Sequence, residues 1–425
     1  MQRNLLGAAL AALLITVMPG AGASTKTDLN DFPAEQRQLS ESEKANRLFD
    51  DIFDRRVARD PEFQTYLGIK TDYDKWTPLT EERYATELEH AKADLASLQR
   101  IDPARLDDTT RLSYRLMRQD LQRRIEDYRW RHHGYPVNQM FGEHSAVPAF
   151  LINQHRIDDV ADAEAYIARL MGVRRHMEQL VEQLSIREQK GIIAPSFVFP
   201  HVLRDSRNIL QGAPFDGGEP STLLGDFTAK VDALDIPVPQ RARLQREAEM
   251  ALISSVQPGY QTLITYLEQL QQRATADACV WKLPDGDAFY ENRLARITTT
   301  GLSAEAIHAI GLEEVNRIHD EMRAIKERVG FEGDLQAFMT FMREDEQFYL
   351  PADDSGREAY LSQAREVLED IESRLDELFI TRPKAPLVVK RVETFREKSA
   401  GKAFYQQPAA DGSRPGKYYA NLYDM

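Results

Sequence analysis

The chain has 425 residues, 42% of them hydrophobic and 29% charged, enough apolar side chain for one large or two medium domains with proper cores. Acidic residues number 68 against 54 basic ones, and the resulting net charge of −14 repels phosphate backbones and anionic lipid heads, which argues against nucleic-acid binding. The single cysteine, Cys279, excludes an internal disulfide, so stability must come from the core.

At the N-terminus, Arg3 precedes an apolar run from Leu5 to Met18 that is too short for an ordinary membrane span. Pro19-Gly20 breaks the run, and Ala21-Gly22-Ala23 matches a small-residue cleavage site before Ser24. Residues 1–23 read as a signal peptide, 24–40 as a flexible polar leader, 41–385 as a helical body and 386–425 as the start of a small sheet region. The expected location is periplasmic or secreted, with no stable membrane span after cleavage.

Helical periodicity then recurs along the chain. Tyr84, Leu88, Ala91, Leu95 and Leu98 form one apolar stripe, with Thr80 placed to cap it. Leu112, Leu116 and Ile125 mark a second helix. Tyr166, Leu170, Val173, Met177, Leu180 and Leu184 mark a third, with Asp162 as its expected cap. Residues 211–222 are rich in Gly and Pro and read as a surface loop. Ser303 caps a long helix with the stripe Ile307, Ile310, Val315, Ile318, Met322, Ile325 and Val329, and Gly330 lies where a glycine ends such a helix. A last stripe runs from Tyr360 through Ala364, Val367, Ile371, Leu375 and Leu378 until Pro383 and Pro386 stop it. These stripes are expected to pack into the core. Beyond Pro386, Leu387 to Val392 and Tyr418 to Tyr423 carry the β-branched and aromatic residues of strands, with turn signals at Asp411-Gly412 and Pro415-Gly416. The fold class expected is mainly α, with long antiparallel helices and a small β element near the C-terminus.

Catalytic chemistry finds little support in spacing. None of the nine histidines is followed by Glu, and no pair stands four residues apart as a zinc helix requires. His308 and His319 share a face but lie too far apart along it for one ion. There is no G-x-S-x-G elbow, P-loop or G-x-G-x-x-G.

Several segments together resemble the DUF885 family, exported or lipid-anchored bacterial proteins related to helical zinc peptidases. They include Pro136 to Met140 with Gly142, Pro148 to Leu151, Thr298 to Ser303, Gly311 to Val315, Phe395-Arg396-Glu397, Ala403-Phe404-Tyr405 and Asp411 to Asn421. The resemblance implies an incomplete zincin-like helical peptidase fold. It also implies zinc in an intact member, held by a His-Glu and Pro-Gly-His segment and a Glu-Gly-Trp segment. None of these occurs here, so no metal ligand or general base carries over, and no cofactor is expected in this chain. The expectation that follows is the N-terminal part of a zinc-metallopeptidase-like envelope protein, truncated and inactive. The alternative is a non-catalytic periplasmic helical protein that binds peptides or serves as a scaffold. The resemblance further implies a strand edge at Lys417 to Tyr423 that pairs with peptide, with Arg414 holding a carboxylate. Arg414, Tyr418, Tyr419 and Asn421 are therefore the candidate substrate-binding residues.

Overall fold

The computed structural model describes residues 39–409, 412 and 414–423. The expected signal peptide and nearly all of the leader lie outside the described residues. So does Asp411 of the expected turn. In chain order the helices are α1 (Glu41–Val57), α2 (Pro61–Leu67), α3 (Glu81–Leu98), α4 (Asp108–Asp127), α5 (Glu143–Asn153), α6 (Val160–Gln189) and α7 (Val198–Ile209). They continue as α8 (Thr222–Asp232), α9 (Val238–Ala251), α10 (Gln257–Gln271), α11 (Gly286–Thr298), α12 (Ala304–Arg328), α13 (Leu335–Glu344) and α14 (Asp354–Ser373). Strands β1 (Leu387–Arg391), β2 (Ala403–Gln406) and β3 (Gly416–Ala420) follow. The fold is mainly helical with a small mixed sheet near the C-terminus.

The chain divides into two compact units. The first holds residues up to Asp60 together with Pro78–Tyr135, and the second holds Pro61–Thr77 with everything from Pro136 onward. In the first unit, Ala45, Phe49 and Ile52 of α1 meet Ala91 and Leu98 of α3 and Tyr114, Met117 and Leu121 of α4. Ser40 opens α1 with a reciprocal capping box to Glu43, and Thr80 caps α3 as its sequence suggests. Helix α4 exists where expected, but Leu112 and Leu116 are exposed.

The second unit is organised around α6, whose Tyr166, Leu170, Val173, Met177 and Leu180 are fully buried. Its cap is Asp159, which accepts from the Asp162 N–H, so Asp162 sits one turn inside the helix instead of capping it. Helix α10 lies against α6 so closely that a Cβ on Gly259 would stand 2.9 Å from the Arg174 Cα. A five-residue π turn (Leu252–Val256) precedes α10 and sets the Ser255 hydroxyl between Met171 O (2.7 Å) and the Arg174 N–H (3.0 Å).

The stripes of α12 and α14 depart from expectation. No residue of α12 is buried, and Val315, Ile318, Ile325 and Val329 are exposed. In α14 only Gly356 is buried. Their periodicity made the helices, and Gly330 (φ +72°) ends α12 as its position predicts, but much of each apolar face stays exposed, with Ile307, Met322, Tyr360 and Ala364 only half-buried.

In the sheet, β3 is the middle strand. It pairs in parallel with β1 (Val389 opposite Tyr418) and antiparallel with β2 (Phe404 opposite Tyr419). The expectation that residues 417–423 offer a free edge is therefore corrected: the backbone groups of β3 are taken on both sides, and the open edges belong to β1 and β2.

Candidate functional site

Helix α5 supplies the centre of the site. It is apolar from Ala146 to Ile152, and it carries Pro148 in its interior. Proline has no N–H to give the His144 carbonyl one turn back, and that buried oxygen instead accepts the Tyr260 hydroxyl at 2.8 Å. The C-terminal end of α5 then exposes carbonyls with no partner inside the helix.

Three lysines converge there. Lys230 Nζ donates to the carbonyls of Leu151 (2.9 Å), Ile152 (2.9 Å) and His155 (3.1 Å), and it pairs with Asp226 at 2.7 Å. Lys417 Nζ donates to Asn153 O at 3.0 Å, and Lys390 Nζ to Asn153 Oδ1 at 2.9 Å. Cations suit this end of a helix, where the macrodipole is negative. The Asn153 side chain also accepts the Tyr419 hydroxyl (2.8 Å) and donates to Ala149 O (3.0 Å) and Glu393 Oε1 (2.6 Å). Burial, reinforced by Lys390 and Arg414, pushes the Lys417 ammonium down to about 8. Burial pushes the Glu393 carboxyl up, but Arg396 and the Asn153 amide outweigh it and hold the group below its ordinary value.

Immediately past Asn153, a pocket of about 260 Å³ including its mouth is lined by Thr65, Gly68, Lys70, Tyr73, Gln154, Arg156, Ala409 and Arg414. Gln154 is only 2% exposed, and neither its Oε1 nor its Nε2 has a hydrogen-bond partner among the described residues. A buried carboxamide without a partner costs about 1–3 kcal/mol, so this group favours a ligand or water that can pair with it. The lining contains three cations and no carboxylate. Lys70 pairs with Asp158 (2.9 Å) and Asp162 (2.6 Å), and Arg156 pairs with Asp158 (2.7 Å). Burial raises the Asp158 carboxyl, yet hydrogen bonds from Lys70 and Arg156 bring it below the usual range.

The wall from Thr65 to Lys75 is held by Arg169 of α6, which is fully buried. Its guanidinium donates to Thr65 Oγ1 (2.9 Å), Pro61 O (3.3 Å) and Lys75 O (3.1 Å), and the Trp76 indole N–H donates to Arg169 O at 2.8 Å. The rings of Phe150, Tyr73 and Trp76 lie 4.8, 5.2 and 5.6 Å from the guanidinium carbon.

The four residues singled out from the sequence fall in different places. Arg414 lines the pocket but is only 4% exposed, and it donates to Gln407 O (2.7 Å) and Tyr66 O (2.8 Å). Tyr419 is buried in the Asn153 network and stacks on Phe404 at 4.8 Å. Tyr418 is half-buried on the other face of β3. Asn421 lies past the end of β3, where its amide donates to Glu397 O (2.6 Å) and Ala400 O (3.1 Å). Gln154, Lys70, Tyr73, Thr65 and Arg156 have no sequence signal beyond the polar triplet Gln154-His155-Arg156 that follows an apolar helix.

Fold and site together define a mainly helical protein with a small, cation-lined polar pocket. The chain belongs to the DUF885 family, described as a bacterial protein of unknown function, and the match covers residues 61–425. No curated protein matches it. Among solved structures, it is similar to a candidate lipoprotein from Colwellia psychrerythraea, with 21% identity, a TM-score of 0.78, and coverage of 91% of this chain and 68% of that one. It is also similar to a candidate lipoprotein of unknown function from Shewanella oneidensis, with 16% identity, a TM-score of 0.56, and coverage of 91% of this chain and 65% of that one. At these identities the likeness is one of fold.

These findings correct the main expectation. The family match takes in nearly the whole described chain, from residue 61 to 425, and the chain spans about two thirds of the length of the two solved structures. Among the described residues, no three His, Cys, Asp or Glu side chains group so as to hold a metal ion. The findings therefore back the binding-or-scaffold alternative better than the zinc-metallopeptidase reading. Among the same residues, no helix is long and apolar enough to cross a membrane.

Proposed function

We propose that this protein is a non-catalytic binding protein of the cell envelope that holds peptides in the pocket beside the end of α5. The observation that carries the reading is the Gln154 carboxamide, buried yet without a partner, at a pocket whose charged lining is cationic. Unsatisfied buried amides are rare in folded proteins because they cost stability, and a ligand that pairs with one recovers that cost on binding. The envelope location is supported by the cleavable apolar run ahead of Ser24 and by the lipoprotein descriptions of two proteins of similar fold.

Calorimetric titration of the purified mature chain with a pool of short peptides tests the reading. Saturable binding that Gln154→Leu removes is the expected result. Equal binding by wild type and variant places the ligand elsewhere and overturns it.

A further inference from the structure

We infer that the pocket recognises the free C-terminal end of a peptide, taking its terminal carboxylate and the N–H of its last residue. This deepens the binding function proposed above and rests on it.

The chemistry of the lining sets the ligand. Lys70, Arg156 and Arg414 can only donate, so the group that meets them must be an acceptor, and an anionic one meets their charge best. Two of the three Lys70 N–H groups go to Asp158 and Asp162, so at most one remains for a ligand. Gln154 differs in kind. Its Nε2 donates but its Oε1 can only accept, and both are unpartnered. A ligand that satisfies the whole lining therefore carries an anionic oxygen and, close by, an N–H. A chloride or a fully ionised phosphate supplies only the first. The last residue of a peptide supplies both, with its carboxylate and amide N–H on one α-carbon.

Size points the same way. The enclosed part of the pocket holds no more than about one water-sized group, so only the tip of a ligand, such as one carboxylate oxygen, enters it, and the rest of the chain end stays at the mouth. Capture of a terminal carboxylate by convergent donors is an established mode of peptide recognition, and here a carboxamide acceptor adds a requirement for the neighbouring N–H.

The test uses the mature chain and three probes: a randomised tripeptide pool as free acids, the same pool with C-terminal amides, and acetate. Affinity is read by titration calorimetry, with N-acetylated free acids as a further arm. The expected result is that free acids bind, C-terminal amidation weakens them at least tenfold, N-acetylation changes little, and acetate binds far more weakly. Gln154→Leu, shown to be folded by an unchanged or raised Tm, loses the affinity for the free acids. Acids and amides binding alike would overturn the C-terminal reading and leave peptide binding standing. Acetate binding as tightly as the tripeptides would reduce the site to a simple anion pocket and overturn it too. No binding by any probe would sink both this inference and the function it rests on.

Discussion

Arg169 Nη1 lies 3.0 Å from Nδ1 of His155, and since a guanidinium cannot accept, the ring nitrogen must do so. His155 Nε2 therefore carries the proton and donates to the Asp162 carbonyl at 3.0 Å, so the imidazole is neutral and its tautomer is fixed. Arg169 makes no ion pair with any described residue; carbonyls, one hydroxyl, one imidazole and three aromatic rings surround it instead. Replacing it with Met strands His155 Nδ1 and the Lys75 carbonyl, and leaves Thr65 Oγ1 and the Pro61 carbonyl with only the bond between them. We expect Arg169→Met to cost about 3–5 kcal/mol of stability in urea unfolding. Arg169→Lys should recover little, because an ammonium cannot span the same fork. A loss under 1 kcal/mol would show that this arrangement does not hold the wall.

Acid should unfold the protein through its buried imidazoles. Burial lowers His144 to about 4, and burial together with Arg169 lowers His155 to about 2. In the unfolded chain both titrate near 6.5. Depressed folded values mean that the stability is complete above pH 6.5 and is lost as pH falls from there toward 4. The slope is roughly 1.4 kcal/mol per pH unit for each histidine. Urea midpoints at pH 7.0, 5.5 and 4.5 should fall steadily; a flat profile would contradict the neutral assignment.

Gln154 predicts a conflict between stability and binding. Gln154→Leu removes an unsatisfied buried amide at nearly constant volume, so we expect a gain of about 1 kcal/mol. The same change should remove peptide affinity. Thermal melts paired with calorimetry check both, and a destabilised variant would mean that the amide is satisfied in solution.

Lys417 should make stability rise on the alkaline side. Its folded value near 8 lies below the unfolded value of about 10.4, so the unfolded chain holds the extra proton between those limits. Stability should therefore increase from pH 8 to pH 10, with the effect reduced by partial solvent screening. Tm measured over that window should climb in wild type more than in Lys417→Met. Parallel curves would argue against a depressed Lys417.

Gly259 should tolerate no side chain. Its added Cβ would meet the backbone of α6, and backbone yields less readily than a side chain. Gly259→Ala is expected to cost about 1–3 kcal/mol despite alanine's better helix propensity. A stabilised variant would refute the close approach.

Sequence periodicity located α3, α4, α6, α12 and α14 but not the other helices, because a helix that packs on one side must repeat its apolar residues near every 3.6 positions and the shorter ones show too few repeats. The α6 stripe from Tyr166 to Leu184 is buried as read. The same signal misled for α12, since periodicity reports an apolar face without reporting what covers it. Strand β2 escaped notice because four residues are too few to show alternation. The site was least legible. Only Arg414 of its lining was anticipated, and the rest unites Thr65, Gln154 and Ala409, positions that no local pattern links.

The order of the strands also bears on how the molecule comes into being. Strands β1 and β2 touch only through β3, so each must wait, unpaired, until residues 416–420 arrive. On the ribosome a chain grows from its N-terminus, and the helices around α6 can assemble while the sheet cannot. Arg414 comes just ahead of that strand, so the pocket closes with the same late step. A nascent chain stalled before residue 414 should thus carry a folded helical body that cannot yet hold a ligand.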